Sequence, residues 1–396
     1  MKVIFTVLNL IAACLSFTVQ GCKAQPQAQI SGVIHLHPEW KSEVYLIQPR
    51  NFSEIAGNFL GQVIDSATID ADGNFAFINV PVSQENLLLQ LVVQKSNTRY
   101  PNQLADTIPS DANYMPLILS KGNPVIIKAD ISIFQKSFAF INSSSENSAL
   151  ISLRDIRLAA YRKYLADDVK EIQADSMLIE KENLYRTYIK ALMEFADTTT
   201  CIEAAMVAIR WISPNGDFER VPEFIHGQCK KWQRDMPRNP LASQLCHVAD
   251  KNILPVLVGD LMPDFELPLI SGDTVMLSKL LGQRLTIVDI WASWCAPCRK
   301  ENRTVLTPLW SAYKNKGLQI IAYSIDNNAS SWKSAITKDG AGWSHASHLT
   351  GDATPFLEAL RITTIPANFI LDAEGEIIAK NLNGETLIEF VKRRLE

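Results

Sequence analysis

The stretch Asp289-Ile290-Trp291-Ala292-Ser293-Trp294-Cys295-Ala296-Pro297-Cys298-Arg299 decides how this chain is read. The apolar run Leu285-Thr286-Ile287-Val288 leads into it and predicts a buried strand. The segment from Pro297 to about Tyr313 leads out and predicts a helix. Two cysteines therefore stand at the turn between a strand and a helix N-terminus. The first helical turn carries unpaired N–H groups and the positive end of the helix dipole, and both favour an anion. A thiolate is such an anion, so Cys295 is expected to have a lowered pKa and to react as a nucleophile. Cys298 follows one helical turn later, close enough to attack a mixed disulfide formed at Cys295. Pro297 suits the first helical turn, where a missing N–H costs nothing.

Three chemistries compete for this pair. Half of a zinc site would need a second CxxC or CxxH, and the chain has neither. An inert structural disulfide would not need the strand-to-helix junction or the flanking tryptophans. A redox dithiol uses all of these features, and CxxC beside a βαβ pattern is its sequence signature.

Downstream residues agree. Thr364-Ile365-Pro366 precedes the apolar strand Ala367 to Leu371, and Asp372-Ala373-Glu374-Gly375 turns into Glu376-Ile377-Ile378-Ala379. With Trp-Cys-Ala-Pro-Cys, this pattern resembles the thioredoxin superfamily. Gly259-Asp260-Leu261-Met262-Pro263-Asp264-Phe265-Glu266-Leu267 resembles the start of its TlpA/ResA branch, the membrane-tethered thiol–disulfide proteins of bacterial envelopes. The resemblance covers roughly residues 256–396 and implies an α/β thioredoxin fold there. It implies a cis peptide at Ile365-Pro366, facing the dithiol and receiving the substrate strand. Trp294, Ala296, Pro297 and Ile365 are the expected substrate-contacting residues. Asp289 matches the buried acid that serves thioredoxins as proton acceptor, and its apolar neighbours Val288 and Ile290 predict a pKa raised by desolvation. Glu301 matches a glutamate that tunes the thiols in the ResA-like branch; the alternative is an exposed acid favoured by the helix dipole.

The rest of the chain is read around this domain. A length of 396 residues suggests two or three domains. A net charge of −4 with no basic block excludes nucleic acid as the expected partner. Residues 1–22 read as a signal peptide: Lys2 is the sole charge before an uncharged, mostly apolar run from Val3 to Val19. Val19-Gln20-Gly21-Cys22 resembles a lipobox, which implies acylation at Cys22 and a lipid anchor; cleavage after Cys22-Lys23-Ala24 is the alternative. Residues 26–141 read as short strands with turns, among them Asp70-Ala71-Asp72-Gly73-Asn74, and predict a β-sandwich-like domain. It looks like the β domain that precedes thioredoxin domains in many Gram-negative envelope lipoproteins. His35 and His37 share a strand face, but no third ligand lies near them in sequence, so no metal site is expected. Residues 146–252 change to helical periodicity and predict a helical insert. Its Cys201, Cys229 and Cys246 read either as buried apolar residues or as one structural disulfide, Cys229–Cys246, with a leftover thiol.

The fold expected is therefore multidomain: an N-terminal β-sandwich-like domain, a helical insert and a C-terminal α/β thioredoxin fold over 256–396. The function expected is thiol–disulfide exchange in the periplasm or cell envelope, with no cofactor beyond the redox-active Cys295–Cys298 disulfide. The resemblance implies a membrane dithiol donor and exported cysteine-containing substrates, as in cytochrome c maturation. Two rivals remain. Peroxiredoxins share the Met-Pro-Asp-Phe opening, but Asp289 stands where their proline would be. A non-catalytic scaffold lipoprotein would leave the set Asp289, Cys295, Cys298 and Pro366 without a purpose.

Overall fold

The computed structural model describes residues 28–81, 83–166 and 178–396. The targeting segment 1–22 and Cys22 lie outside the described residues.

The first part of the chain lays down β1 (Ile30–His35), β2 (Trp40–Gln48), β3 (Gln62–Thr68), β4 (Asn74–Phe77), β5 (Leu87–Lys95), β6 (Tyr114–Leu119) and β7 (Val125–Asp130), then a short α1 (Phe134–Ser137) and β8 (Ala139–Phe140). These strands make two four-stranded sheets, ordered β4-β1-β7-β8 and β3-β2-β5-β6. Alternation sets the inner faces: β7 buries Val125, Ile127 and Ala129 and exposes Ile126 and Lys128. The turn after Asp70 needs its glycine. Gly73 has φ +86°, and a Cβ there would meet the Ile34 carbonyl oxygen at 2.7 Å.

Helices α2 (Ser145–Tyr164), α3 (Leu178–Thr198), α4 (Ile202–Ile212), α5 (Pro222–Asp235) and α6 (Pro240–Val248) follow. Ser144 caps α2 by accepting from the Asn147 N–H at 3.2 Å. Asn147 in turn pins α2 to the edge strand β6, exchanging two 2.8 Å bonds with the Ile118 backbone. This contact covers an edge that would otherwise offer unpaired backbone groups. It explains why β6 is buried along its whole length. Every residue of α4 is buried, and its buried Arg210 is satisfied by the Ile55 and Ser213 carbonyls at 3.1 and 3.2 Å. Cys229 on α5 and Cys246 on α6 form a disulfide, and Cys201 is a free thiol. Strands and helices share one apolar cluster from Ile30 to Leu254, while a second runs from Val256 to Leu395. The break in core packing thus falls at Pro255, and none falls between the strands and the helices.

The second cluster holds β9 (Glu266–Pro268), β10 (Thr274–Met276), β11 (Leu285–Trp291), α7 (Ala296–Glu301), α8 (Thr307–Tyr313), β12 (Leu318–Ser324), α9 (Ala329–Asp339), β13 (Ser344–Ala346), α10 (Pro355–Leu360), β14 (Ala367–Leu371), β15 (Ile377–Lys380) and α11 (Gly384–Leu395). β9 and β10 pair as a hairpin. Ser278 lies inside the short 3₁₀ turn Leu277–Leu280, and its N–H and hydroxyl both donate to Asp264, at 2.9 and 2.8 Å. The main sheet is ordered β13-β12-β11-β14-β15. β11 runs parallel to β12 and antiparallel to β14, and all seven of its residues are buried. A strand buried on both faces reads as a continuous apolar run, as this one does. The helix leaving the dithiol runs to Tyr313 but passes through a π-helical turn at Asn302–Leu306. Pro308 follows that turn and has no N–H to return to the Thr304 carbonyl, which gives a local reason for the altered pattern.

Candidate active site

β11 ends at Trp291 in the middle of the sheet, and the chain emerges through Ala292-Ser293-Trp294 to reach Cys295. Cys295 is the N-cap residue of α7, and the Cys298 N–H points at its Sγ at 3.3 Å. The two cysteines are joined as a disulfide. Both are buried, whereas Trp294 beside them is 66% exposed, a large apolar ring standing in solvent at the rim. Trp291 is the opposite case: it is fully buried, with its ring 6.0 Å from that of His345. Ala296 and Pro297 are half-buried in the turn of the dithiol. Ile365-Pro366 is a cis peptide, and both residues are half-buried at the start of β14.

The acids lie beneath. Asp289 sits on β11, paired across the sheet with Ala322 and Asn368, and is buried. Its Oδ2 has no hydrogen-bond partner among the described residues. Burial pushes its carboxyl up to about 8, and the negative charge of Glu301 adds to the rise. Glu301 is itself buried, so the exposed-acid reading of that residue fails. Its pKa is raised by burial and partly drawn back by the Gly384 N–H, which donates to its Oε1 at 2.8 Å from the first residue of α11. An acid held at a helix N-terminus is favoured by the free N–H groups there. Glu301 therefore links the thiol helix, the central strand acid and the last helix.

Four further residues hold the turn, and sequence reasoning missed them. The Ser293 N–H and hydroxyl both donate to Asp326, at 2.8 and 2.5 Å, just beyond the end of β12. Arg299 donates to the Ser293 carbonyl at 3.1 Å and forms a bidentate pair with Asp339 on α9. Arg303 joins the same carboxylate at 3.0 Å. Arg299 directly follows Cys298, which was the available signal. Asp326 and Asp339 carry none, because only the βαβ crossover brings them under the dithiol.

His35 and His37 have a nearby acid after all. Parallel pairing of β1 with β7 sets His35 opposite Asp130, and the His37 Nε2 lies 3.2 Å from Asp130 Oδ1. That carboxylate already accepts from the N–H and hydroxyl of Ser132 as a cap, at 2.9 and 2.6 Å. A cavity of about 780 Å³ also lies in this half, lined by Arg50, Asn51, Glu203 and Arg238 among others. The dithiol is not part of it. The exposed Trp294 ring is what the dithiol turn presents to solvent.

Sheet order, dithiol placement and cis-proline define a thioredoxin-type domain, and residues 258–380 match the AhpC/TSA family model. The chain carries an AhpC/TSA domain of the thioredoxin superfamily, and its relatives over that domain are named thiol-disulfide oxidoreductases. One is the thiol-disulfide oxidoreductase ResA of Oceanobacillus iheyensis, 42% identical over 73 residues, which are 17% of this chain and 37% of the relative. Another is ResA of Bacillus cereus, 25% identical over 129 residues, 33% of this chain and 72% of the relative. Among solved structures, the thioredoxin domain of a thiol-disulfide oxidoreductase from Bacteroides vulgatus is 30% identical, with a TM-score of 0.33; the match covers 36% of this chain and 99% of that one. The chain thus spans little more than a third of the first relative and nearly three quarters of the second.

Proposed function

We propose that this chain is a thiol–disulfide oxidoreductase of the bacterial envelope that reduces disulfides of exported proteins. The observation that carries the reading is the Cys295–Cys298 disulfide at the end of a strand whose buried acid, Asp289, has an oxygen without a hydrogen-bond partner among the described residues. In the reduced chain, the Cys295 thiolate attacks a substrate disulfide. One substrate sulfur bonds to Cys295, and the other leaves as a thiolate and takes a proton. Cys298 then gives its proton to the Asp289 carboxylate and attacks Cys295 Sγ, which releases the second substrate thiolate. Two electrons pass to the substrate, and the chain is left as the Cys295–Cys298 disulfide. A membrane dithiol donor restores it. No metal or organic cofactor enters these steps. Glu301 tunes Asp289, while Trp294, Ala296, Pro297 and the Ile365-Pro366 loop hold the substrate strand.

The remaining parts fit an envelope role. Residues 26–141 serve as a β-sandwich-like module and 146–252 as a helical region, ahead of the exchange domain at 256–396. No helix among the described residues is long and apolar enough to cross a membrane. Acylation at Cys22 would supply the anchor, and the names of the ResA relatives support the exchange chemistry. Cytochrome c maturation is the substrate pathway we favour.

The test is the reduction potential of the dithiol, read by Trp294 fluorescence against glutathione and dithiothreitol. We expect a two-electron transition towards the thioredoxin end, about −270 mV, and not the DsbA end, about −120 mV. Absence of any reversible transition would sink the reading and leave a scaffold lipoprotein. The AhpC/TSA match keeps a peroxidase in view. Steady peroxide consumption with a thiol donor would favour it.

A further inference from the structure

The cis-proline loop is held from outside its own domain. Glu219 lies in the turn between α4 and α5, within the first apolar cluster's part of the chain. Its carboxylate accepts four hydrogen bonds from two successive loop residues. Oε2 takes the Thr363 N–H at 3.0 Å and the Thr363 hydroxyl at 2.7 Å. Oε1 takes the Thr364 N–H at 3.0 Å and the Thr364 hydroxyl at 2.7 Å. Hydrogen bonds to an ionised acceptor are roughly twice as strong as neutral ones, and a two-oxygen grip also fixes geometry.

The turn that carries Glu219 is itself braced. Its N–H donates to Asp217 Oδ1 at 3.0 Å, the Ser213 hydroxyl donates to the Asp217 carbonyl at 2.5 Å, and the ring of Phe218 packs 6.4 Å from that of Phe52. More contacts cross at the same place. Arg361, at the end of α10, donates to the Leu254 carbonyl at 2.5 Å. Lys380 on β15 pairs with Glu223 at 2.8 Å. Arg186 on α3 donates to the Asn381 carbonyl at 3.1 Å. The two cores therefore meet along the loop and strand end that flank Pro366.

We propose that Glu219 is a positioning residue for thiol–disulfide exchange: its carboxylate presets the Thr363–Pro366 loop for the incoming substrate strand, so the helical region is a working part of the site. The proposal rests on the thiol–disulfide reading. A loop preset in its binding conformation spares the ordering cost at the moment of association. Loss of the carboxylate leaves four donors without their acceptor and lets the loop sample other arrangements.

The test compares wild type, Glu219→Ala and Glu219→Gln in the full chain. The probe is a labelled peptide carrying one intramolecular disulfide, with dithiothreitol as reductant. We expect Glu219→Ala to raise the peptide KM about tenfold, with most of the loss in KM and not in kcat, as for removal of uniform binding. The Cys295–Cys298 potential should not move, because the dithiol is untouched. Glu219→Gln keeps one acceptor oxygen and should fall between the two. A KM within about twofold of wild type in folded Glu219→Ala overturns the proposal, and so does a matching shift of the dithiol potential. If Glu219→Ala does not fold, the pair Thr363→Val with Thr364→Val decides. It keeps both backbone bonds and drops both hydroxyls, so an unchanged KM there is equally fatal. A wild-type chain that leaves the peptide oxidised overturns the thiol–disulfide reading itself, whereas turnover with equal KM overturns only the role of Glu219.

Discussion

At the residue scale the behaviour of Asp289 can be worked out with its sign. Its folded pKa of about 8 lies above the ordinary aspartate value, so the native state keeps a proton that the unfolded chain releases. Stability therefore falls as pH rises from about 4 to about 8 and levels off above, a contribution on the order of 5 kcal/mol for a four-unit shift. Asp289→Asn should remove that slope, so urea midpoints of the variant and wild type should diverge towards pH 8. In the proposed exchange mechanism the same ionisation governs the chemistry. A carboxylate that accepts the Cys298 proton works only when charged, so the resolving step should accelerate as pH passes about 8. Asp289→Asn should slow it by roughly 10²-fold or more, seen as mixed-disulfide accumulation in rapid-quench experiments. Glu301 contributes a like charge to Asp289. Glu301→Gln should therefore shift the pH–rate inflection downward, and an upward shift would contradict the coupling. The cysteine pair, Asp289 and Pro366 were legible in the sequence because adjacent apolar residues and fixed spacing mark them. The burial of Glu301 was not, because it depends on α11 folding back across the thiol helix.

At the scale of elements, the dithiol turn is held by charges from the crossover helix. The Asp339 side chain is fully buried and meets Arg299, Arg303 and Asn302. Removing one partner of a buried pair leaves the other uncompensated, at a cost of about 3–5 kcal/mol. Asp339→Ala should lower stability by about that amount in urea titration. It should also loosen the Ser293 contact through Arg299. The central strand β11, the strand β14 after Pro366 and the helix leaving the dithiol were readable from apolar runs and spacing, whereas the short edge strand β13 was not. The π-helical turn at Asn302–Leu306 was not either, since Pro308 marks a disturbance of the helix without saying which hydrogen-bond pattern answers it.

At the scale of the whole molecule, the chain packs as two apolar cores that part at Pro255 and meet again across polar contacts. The Cys229–Cys246 bridge closes a loop with a sequence separation of 17 inside the first core. Replacing both cysteines with serine should cost that core about 3 kcal/mol by the loop-entropy relation. Calorimetry should show its transition lowered and the transition of the second core little changed.

The sequence by itself determined the thioredoxin-type domain and the place of its cysteine pair. A CxxC at a strand-to-helix junction, a proline before an apolar strand and an acid within an apolar strand are local patterns, and local patterns survive in a one-dimensional string. Only the tertiary structure decided that the helices share a core with the strands, that Asp326 and Asp339 brace the dithiol turn, and that Glu219 grips the cis-proline loop. Glu219 lies 144 positions before Thr363. A carboxylate finds its donors by position in space, and no periodicity of either segment encodes a contact made between two separately packed cores.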